Sequence, residues 1–358
     1  MNESESTRNE MADELVLPHV AALSGYQPGE QPTAQSFVKL NTNENPYPPA
    51  PGVAEAIVGA CADLRLYPDP SASELRRCAG EIFGVDPGGI VVGNGSDELL
   101  TMLIRSTIGP GGTVAYPVPT YSLYDTLVDI QGARAERIPW PDDYSLPAAL
   151  ATASAQIFFI CNPNAPSGTV VPIGDIESLA HAQKGSLVVV DEAYVDFADQ
   201  NALPLLGKCP NVVVLRSMSK SYSLAGLRLG LAFMSPSLAR HLHKVRDSYN
   251  VNRLAQAGGL AALTDQATML EHVARVRATR HRLSATLRDM GFAVLPSQTN
   301  FVLARRPGED LSTLAQTLRE HRILVRYFGV LPDAIRVSVG TDDEIDAFLE
   351  ALRTIQGG

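Results

Sequence analysis

Short apolar runs alternate with helical segments through the middle of the chain, and this alternation restricts the fold more than any other feature. Such continuous runs are typical of parallel strands that are buried on both faces and joined by helical crossovers. We therefore predict an α/β fold with a mainly parallel sheet covered by helices. The runs are GIVVG (89–93), TVAYP (113–117), QIFFI (156–160), SLVVVDEAY (186–194), NVVVLRS (211–217) and LRLGLAFM (227–234).

Further units are expected on either side of this alternation. Residues 236–290 carry apolar residues three and four apart together with many arginines, which predicts long amphipathic helices. A smaller α/β unit follows, and its last helix is expected to begin after Thr341, where acidic residues suit a helix N-terminus. A chain of 358 residues is long enough for two domains. We predict an N-terminal arm at 1–45, a large domain at 46–255 and a small C-terminal domain at 256–358.

Charge and cysteine content argue against several functional classes. The chain has 29 basic and 39 acidic residues, and its net charge of −10 disfavours nucleic acid and other polyanions. The four cysteines show neither zinc-ligand spacing nor a disulfide pattern, which favours a reducing compartment. The polar, acidic first residues do not resemble a signal peptide, and no apolar run approaches the roughly 20 residues that cross a bilayer. We expect a cytoplasmic protein with no metal, nucleic-acid or membrane partner.

Lys220 is the first candidate for chemistry. It is one of only five lysines, and it follows the apolar run NVVVL in the segment RSMSKSYSLAGLRLG (216–230). A loop at the carboxyl end of a parallel strand faces the ligand crevice of such a sheet. A lysine in an isolated Ser-Lys pair is more often a solvated loop residue, but Ser217, Ser219 and Arg228 nearby favour a site. An amine in such a site can form a Schiff base with a carbonyl compound.

A phosphorylated aldehyde cofactor would also need a phosphate cradle. The segment VVGNGSDELLTMLI (91–104) sets Gly95, Ser96 and Asp97 between a strand and an amphipathic helix. Free backbone amides at the start of that helix can bind phosphate oxygens. The glycine loop alone is weak evidence, because serine and aspartate are also ordinary N-caps. The serines and the arginine that flank the lysine can complete the cradle.

Such a cofactor also needs an anion for its ring nitrogen, and Asp191 is the natural candidate. It ends the strand SLVVVDEAY, with Tyr194 three residues later. A carboxylate close to the pyridine nitrogen keeps that nitrogen protonated and makes the ring an electron sink. A helix cap or a metal ligand is the alternative, but no second carboxylate or histidine with ligand spacing supports a metal.

Taken together, these motifs resemble the fold-type I, pyridoxal-phosphate-dependent aminotransferases, and among them the histidinol-phosphate aminotransferase family. The resemblance covers most of the chain, and its segments occur in the family's order and spacing. They are LNTNENPYP (40–48), YPDP (67–70), GNGSDE (93–98), YPVPTYSLY (116–124), CNPNAPSG (161–168), VVDEAY (189–194), SMSKSYSLAGLRLG (217–230), TNFVLAR (299–305) and IRVSVG (335–340).

The resemblance implies a role for each cofactor residue. Lys220 forms the Schiff base with pyridoxal phosphate, Asp191 pairs with the pyridine nitrogen, and Tyr194 donates to the ring hydroxyl. Tyr121 stacks on the ring. The remaining cofactor contacts are expected from Gly95, Ser96, Asp97, Asn162, Asn164, Ser217, Ser219 and Arg228, most of them at the phosphate.

The resemblance also implies a homodimer, in which Tyr67 of one subunit reaches the cofactor phosphate of the other. Substrate anions are expected at Arg336 and Arg326, with Tyr26 and Asn45 nearby. Two arginines suit an enzyme that accepts a phosphate monoester and glutamate in alternation, although a strand arginine can also pair with a surface acid. The implied reaction, a step of histidine biosynthesis, converts glutamate and imidazole acetol phosphate into 2-oxoglutarate and histidinol phosphate by ping-pong kinetics.

Three alternatives stay open at this point. An aminotransferase for aromatic or other amino acids would keep every cofactor residue and differ only around the substrate. A lyase similar to threonine-phosphate decarboxylase shares the scaffold and also binds a phosphorylated substrate. A ligand-sensing domain of a transcription regulator is disfavoured, because the first 36 residues are too short and too acidic for a DNA-binding module.

Ala165 departs from the family pattern. The segment usually reads NPNNPTG, and the asparagine before its second proline donates to the ring oxygen of the cofactor. Alanine cannot donate a hydrogen bond, so Tyr194 would be the main partner of that oxygen. The alternative is that Asn162 or Asn164 compensates through a small shift of the loop.

Overall fold

The computed structural model describes residues 15–23, 25, 29–32 and 37–357, and its strands form two sheets. The strands are β1 (Val38–Leu40), β2 (Ile90–Gly93), β3 (Thr113–Val118), β4 (Arg134–Pro139), β5 (Ile157–Cys161), β6 (Leu187–Asp191), β7 (Val212–Ser217), β8 (Gly230–Phe233), β9 (Ala293–Val294), β10 (Phe301–Arg305), β11 (Ile323–Phe328) and β12 (Leu331–Ser338).

The larger sheet has seven strands in the order β2-β8-β7-β6-β5-β3-β4. Its neighbours pair in parallel from β7 to β4, whereas β8 runs antiparallel to both β2 and β7. Because helical crossovers return the chain to the same edge, the carboxyl ends of β5, β6 and β7 lie side by side. That edge carries Cys161, Asp191 and Ser217.

Alternate residues of the central strands point into two apolar cores, one on each face of the larger sheet. Val188 and Val190 belong to one core and Val189 to the other, which is the period of two expected of a strand. Each valine or isoleucine that is fully buried in this way contributes roughly 1.5–3 kcal/mol relative to an exposed one. The two cores explain why these strands read as continuous apolar runs.

Helices cover both cores. The helices are α1 (Pro18–Ala21), α2 (Pro51–Cys61), α3 (Ser73–Phe83), α4 (Ser96–Thr107), α5 (Leu123–Ile130), α6 (Ile173–Ala182), α7 (Pro236–Val245), α8 (Arg253–Thr264), α9 (Gln266–Asp289), α10 (Ser312–Glu320) and α11 (Asp342–Gly357). Helices α4, α5 and α7 contribute to the core that contains Val189, and α3, α6 and α8 contribute to the opposite core. None of the helices in the described ranges is long and apolar enough to cross a membrane.

The smaller sheet has five strands in the order β1-β11-β12-β10-β9. Strands β10, β11 and β12 pair antiparallel, and β1 joins the edge in parallel, with Val38 opposite Ile323 and Leu40 opposite Val325. The chain therefore contributes residues from its N-terminal part to a sheet that otherwise comes from its last third. The domain boundaries at 45 and 255 stay a prediction, and β1 lies within the segment predicted as an arm.

The predicted fold class is confirmed, with differences in detail. Strand β4 has the sequence RAERIP and was not expected, because its exposed position at the sheet edge removes the need for an apolar run. Strand β8 was expected to be parallel, but it is antiparallel. An apolar run records burial on both faces and does not record strand direction.

Candidate active site

A cavity of about 340 Å³ opens where β5, β6 and β7 end, at the crevice in which a doubly wound sheet binds ligands. Its floor includes Cys161, Asp191 and Ser217 from the larger sheet. Its opposite wall comes from the smaller sheet and includes Arg326 and Arg336. The other predicted residues that line it are Ser96, Asp97, Tyr121, Tyr194, Ser219, Lys220 and Arg228.

The amine of Lys220 lies partly buried in this cavity. Its Nζ is 3.4 Å from the carbonyl oxygen of Thr42, to which it donates, and 5.6 Å from the centre of the Tyr194 ring. Burial lowers the pKa of Lys220 to about 8, and the positive charge of Arg336 acts in the same direction. A substantial fraction of the amine is therefore unprotonated in mildly alkaline solution, the form in which it can act as a nucleophile or base.

Asp191 lies at the floor of the cavity and is only 2% exposed. Its Oδ2 accepts a hydrogen bond from the hydroxyl of Tyr124 at 2.8 Å, and its Oδ1 accepts one from the amide of Ala193 at 3.2 Å. Burial raises the pKa of Asp191 to about 6, while both hydrogen bonds oppose that rise. A buried carboxylate without a counter-ion is costly, so this position favours a ligand that brings a positive charge.

Tyr194 lines the cavity next to Asp191 and Lys220. Its hydroxyl accepts a hydrogen bond from Nδ2 of Asn43 at 3.0 Å, and its ring meets Phe301 edge-on with the centroids 5.1 Å apart. Burial raises the pKa of Tyr194 to about 12, despite the opposing effects of Arg336 and Asn43. Its hydroxyl therefore keeps its proton at every pH at which an enzyme works and can donate a hydrogen bond.

The start of helix α4 lies beside Arg228 and Ser219, where the sequence predicts an anion cradle. Nη2 of Arg228 lies 3.1 Å from Asp97 Oδ2, and Nη1 donates to Ser219 Oγ at 3.3 Å. Gly95 has φ +86°, and a Cβ there would lie 2.6 Å from Arg228 Nη2, so glycine is required for this approach. Likewise, a Cβ on Gly230 would lie 2.5 Å from the amide nitrogen of Ser96.

Tyr121 stands beside this cradle. Its hydroxyl donates to Asp97 Oδ1 at 3.2 Å, and its ring meets Tyr124 edge-on with the centroids 5.6 Å apart. Ser217 accepts a hydrogen bond from the amide of Ser219 at 3.2 Å, which fixes the loop before Lys220. These contacts hold the aromatic wall and the cradle in a fixed relation to the lysine.

Arg326 and Arg336 are direct partners across the antiparallel pair β11 and β12. The guanidinium carbon of Arg336 lies 5.1 Å from the Phe301 ring centre and 5.3 Å from that of Phe328, and that of Arg326 lies 5.5 Å from Phe328. Arg336 also donates to the carbonyl of Asn41 at 3.0 Å. Like charges opposite each other on a sheet are unfavourable, so an anionic ligand between them is stabilising.

Asn45 lies elsewhere than expected. It is absent from the cavity lining, and its Nδ2 donates to the carbonyl oxygens of Lys220 at 2.9 Å and Ser221 at 3.1 Å. Its amide thus stabilises the loop that carries Lys220. The neighbouring Asn43 faces the cavity in its place. The other predicted substrate residue, Tyr26, lies outside the described residues.

Asn162 and Asn164 are also absent from the cavity lining, and their amides bond to neighbouring loop residues instead. Asn162 exchanges two hydrogen bonds with the backbone of Val171, at 2.8 and 3.1 Å. Asn164 donates to Ser167 Oγ at 2.9 Å and to the carbonyl of Pro119 at 3.2 Å. Neither amide reaches the cavity in place of the donor that Ala165 lacks, although Ala165 itself lines the cavity.

Tyr67 does not contribute to the cavity of its own chain. Its ring is 76% exposed and stacks on Tyr249, with the centroids 4.4 Å apart. Arg253 donates to the Tyr67 carbonyl at 2.8 Å, which fixes the backbone beneath the exposed ring. The predicted contact to a partner subunit stays a prediction.

Sequence reasoning missed Asn43 and Tyr124. Both lie within motifs that were recognised, but the residues chosen from those motifs were Asn45 and Tyr121. Tyr124 follows Tyr121 by three residues in the segment YPVPTYSLY and is the second residue of α5. Asn43 has φ +56°, a conformation that sequence alone did not reveal.

Comparison with known proteins agrees with this geometry. The sequence model of the family described as aminotransferase class I and II matches residues 35–352. The chain belongs to this family. The aminotransferase is 46% identical over 344 residues to the histidinol-phosphate aminotransferase 1 of Nostoc sp., a match that covers 94% of this chain and 97% of the relative. It is also 46% identical to the histidinol-phosphate aminotransferase of Geobacter sulfurreducens, over 94% of this chain and 98% of that relative.

A solved structure resembles the aminotransferase closely. It is the histidinol-phosphate aminotransferase of Sinorhizobium meliloti in complex with pyridoxal-5′-phosphate, with a TM-score of 0.84 and 29% identity. The match covers 95% of this chain and 98% of the other. The predicted family, enzyme class and pyridoxal-phosphate cofactor are thereby confirmed.

The cavity of this aminotransferase fits that cofactor. A buried carboxylate suits a pyridinium nitrogen, the start of α4 and Arg228 suit a phosphate, and Lys220 suits an aldehyde. The absence of a Cβ at Gly95 lets the guanidinium of Arg228 lie close to the start of α4. In the part of the chain that the structure describes, no group of three or more His, Cys, Asp or Glu residues is arranged to hold a metal ion.

Proposed function

We propose that this aminotransferase moves an amino group from glutamate to imidazole acetol phosphate and so forms 2-oxoglutarate and histidinol phosphate in histidine biosynthesis. The observation that carries the proposal is the Arg326–Arg336 pair, which supplies two guanidinium groups to one wall of the cavity. Both substrates of this reaction carry an anionic group beyond the reacting carbon. The names of relatives that are 42–46% identical to this chain support the same substrate.

Pyridoxal phosphate, when bound, supplies an aldehyde that takes up the amino group and an aromatic ring that accepts electrons. In the proposal Lys220 holds this cofactor, Asp191 pairs with its ring nitrogen, and Tyr194 donates to its ring oxygen. The amides that begin α4 and the side chains of Arg228 and Ser219 bind its phosphate. Tyr121 forms the aromatic wall beside the ring.

Lys220 is also the proposed proton carrier. The reaction requires a base that removes the proton from the α-carbon of the amino donor and returns it to another carbon. With a pKa of about 8, the amine of Lys220 is close to the range in which a group can both accept and release a proton efficiently. The carbonyl of Thr42, 3.4 Å from Nζ, orients the amine while it carries that proton.

Arg336 and Arg326 divide the work of binding in this proposal. Arg336 is fixed between two aromatic rings and by the Asn41 carbonyl, which suits the carboxylate that is common to every amino donor. Arg326 lies opposite it and meets the group that differs, a second carboxylate in glutamate and a phosphate in the acceptor. A planar guanidinium can form two parallel hydrogen bonds to either anion.

The proposal includes a homodimer, because a Tyr67 that is exposed in its own chain suits a contact to the cofactor phosphate of a partner. Exposed apolar side chains nearby in sequence, among them Val58, Leu64 and Leu66, support a surface that is covered in the dimer. The proposal also includes a cytoplasmic location, in keeping with four unpaired cysteines. The predicted domains at 46–255 and 256–358 belong to the same proposal.

Amino-acceptor competition tests the proposed function. The protein loaded with pyridoxal phosphate is given glutamate and one acceptor at a time, and 2-oxoglutarate is measured. We expect kcat/KM for imidazole acetol phosphate to exceed that for phenylpyruvate by about 100-fold or more, because the aromatic ring of phenylpyruvate cannot replace the phosphate as a hydrogen-bond acceptor. A faster reaction with the aromatic oxo acid would overturn the substrate assignment. Release of carbon dioxide from threonine phosphate would instead identify a lyase.

A further inference from the structure

Residues 41–45 form a strap that crosses the cavity between the two sheets. Its side chains and carbonyl groups contact predicted site residues on both sides. The contacts are Asn41 O with Arg336 Nη2 at 3.0 Å, Thr42 O with Lys220 Nζ at 3.4 Å, Asn43 Nδ2 with Tyr194 Oη at 3.0 Å, and Asn45 Nδ2 with Lys220 O at 2.9 Å.

Asn43 is the most firmly held residue of the strap. It is buried, and its left-handed φ of +56° is a conformation that asparagine tolerates better than most residues. Its amide donates to Ser338 Oγ at 2.8 Å, and its carbonyl accepts from Asn300 Nδ2 at 2.9 Å. The hydroxyl of Ser338 in turn donates to Asn43 Oδ1 at 3.1 Å. Ser338 at the end of β12 and Asn300 just before β10 therefore fix the position of Asn43.

These contacts decide which end of the Asn43 amide meets Tyr194. Since Oδ1 accepts from Ser338, the NH₂ group faces the hydroxyl of Tyr194. Both ends of the Asn43 side-chain amide then have a hydrogen-bond partner. An NH₂ group can only donate. The oxygen of Tyr194 must therefore accept, and its own proton must point to a different acceptor.

The proton of Tyr194 is left to point into the cavity. The Phe301 ring lies against one side of the tyrosine and offers no oxygen. Among the residues that the structure describes, the Tyr194 hydroxyl has Asn43 as its hydrogen-bond partner within the protein. The side chain of Ala165 has no donor, and the amides of Asn162 and Asn164 donate to Val171, Pro119 and Ser167 instead. Tyr194 is thus the hydroxyl that is poised to donate to a ligand oxygen here.

We propose that Asn43 is a positioning residue, which fixes the Tyr194 hydroxyl as a donor towards the anionic ring oxygen of the bound cofactor. The inference rests on the proposed function, because it requires a ligand with such an oxygen in the cavity. A strap residue that is bonded to the smaller sheet would thus orient the hydroxyl of Tyr194, which follows strand β6 of the larger sheet.

The absorption of bound pyridoxal phosphate as a function of pH tests this role without a measurement of turnover. Donors to the ring oxygen stabilise its negative charge, so their loss raises the pH midpoint of the spectral change. In Asn43→Asp the new carboxylate attracts the proton of Tyr194 away from the cavity. We expect the midpoint to rise by about one unit.

A second variant tests whether the shift arises from a distorted strap backbone. Asn43→Gly removes the amide but keeps a residue that adopts positive φ without strain. We expect a smaller rise of the midpoint, because the Tyr194 hydroxyl becomes free to turn. Asn211→Ala is the matched control, since it deletes another asparagine amide that donates to backbone carbonyls, at 3.0 and 3.1 Å, far along the chain from the strap. It should lower thermal stability and leave the midpoint unchanged.

The Tyr194→Phe background separates positioning from a direct charge effect. If Asn43 acts through the hydroxyl, both Asn43 substitutions should shift the midpoint far less in Tyr194→Phe than in the parent protein. Equal shifts in the two backgrounds, or no shift in the parent, would overturn the proposal. A parent protein that binds no pyridoxal phosphate would refute the proposed function itself, whereas a parent that binds it and is insensitive to Asn43 refutes only this inference.

Discussion

The hydroxyl of Tyr124 donates to the carboxylate of Asp191 across 2.8 Å, and both side chains are almost completely buried. Burial is the main cause that raises the pKa of Asp191, with a smaller contribution from the charge of Asp97, and this hydrogen bond is the strongest effect that opposes the rise. The result is a carboxyl group with a pKa of about 6, which is mostly ionised at neutral pH. Tyr124 therefore helps to keep Asp191 in the state that can pair with a ring cation.

The first prediction is that Tyr124→Phe moves the acidic limb of the pH profile towards higher pH. Without its donor, the carboxylate of Asp191 is less stabilised, so its pKa rises further. We expect the limb of kcat/KM to move up by about one unit. Tyr116→Phe is the matched control, because the hydroxyl of Tyr116 donates to Asp125 instead. An acidic limb that stays in place in Tyr124→Phe would contradict this view of Asp191.

The second prediction concerns the stability of the protein without cofactor. Asp191 has a folded pKa of about 6, above its ordinary value of 3.8, so folding favours its protonated form. Its contribution to stability is fully present below about pH 4 and is lost as the pH rises through 6. Asp191→Asn removes this loss, and we expect it to raise the free energy of unfolding by about 2 kcal/mol at pH 7.5.

Urea unfolding at pH 7.5 and at pH 4.5 measures this effect. The gain from Asp191→Asn should shrink strongly at the lower pH, where the carboxyl group is protonated in the folded protein. The same variant should lose transamination, since a neutral amide cannot balance a ring cation. A variant that is less stable than the parent at pH 7.5 would show that the ionised carboxylate does not destabilise the folded state.

The third prediction is that Lys220 carries the cofactor. Borohydride reduction of the protein loaded with pyridoxal phosphate attaches the cofactor permanently to the amine that holds it. Peptide mapping should find the label on Lys220. Lys39 is the informative comparison, because it stands near the same strap but is paired with Glu44 and donates to Thr42 at 2.5 Å. Label on Lys39, or on any other lysine, would contradict the assignment.

The fourth prediction separates the two arginines of the substrate wall. Arg336→Ala should lower kcat/KM for every amino donor. The fall should correspond to about 2–3 kcal/mol, the usual cost of a lost charge-assisted pair. Arg326→Ala should affect the phosphorylated acceptor and glutamate more than alanine, which has no second anionic group. Both variants should still bind pyridoxal phosphate, which the absorption of the bound cofactor reports. Equal losses for all substrates in Arg326→Ala would refute the division of roles.

The fifth prediction is that activity depends on a residue from a second subunit. Tyr67→Phe and Lys220→Ala are each expected to be weak or inactive when pure. Hybrid dimers should regain activity, because one of their two sites receives an intact Lys220 and an intact Tyr67. Subunit exchange must be verified by mass spectrometry of differently tagged chains. Exchange without recovery would show that Tyr67 does not act across the interface.

The larger sheet could be predicted from the sequence, and candidate residues could be placed at its carboxyl edge, because buried strands have a characteristic apolar sequence. Strands β5, β6 and β7 are apolar along their whole length, and a polar residue at the end of such a strand stands out, as Asp191 does. Lys220 was found in the same way, just beyond β7. The edge strand β4 is exposed and leaves no such trace.

The orientation of the strap residues was harder to predict, because asparagine occurs at every second position of this segment. Asn41, Asn43 and Asn45 alternate within NTNEN, and their composition does not tell which side chain faces the cavity. The left-handed φ of Asn43 and its contacts with Ser338 and Asn300, which lie 295 and 257 residues further along, make that choice. Long-range contacts of this kind have no local signature, so the sequence could not tell that Asn43, and not Asn45, lines the cavity.

Because the cavity is built from two sheets, the residues proposed for the chemistry and those proposed for substrate choice lie on different elements. Lys220, Asp191 and Tyr194 stand on the larger sheet, whereas Arg326 and Phe328 stand on β11, whose turn into β12 carries Val330 at the rim. Val330 is 83% exposed, so its replacement disturbs little packing. Over evolutionary time, or in a directed-evolution library, this hairpin is the place where a new amino acceptor can be selected without rebuilding the chemistry.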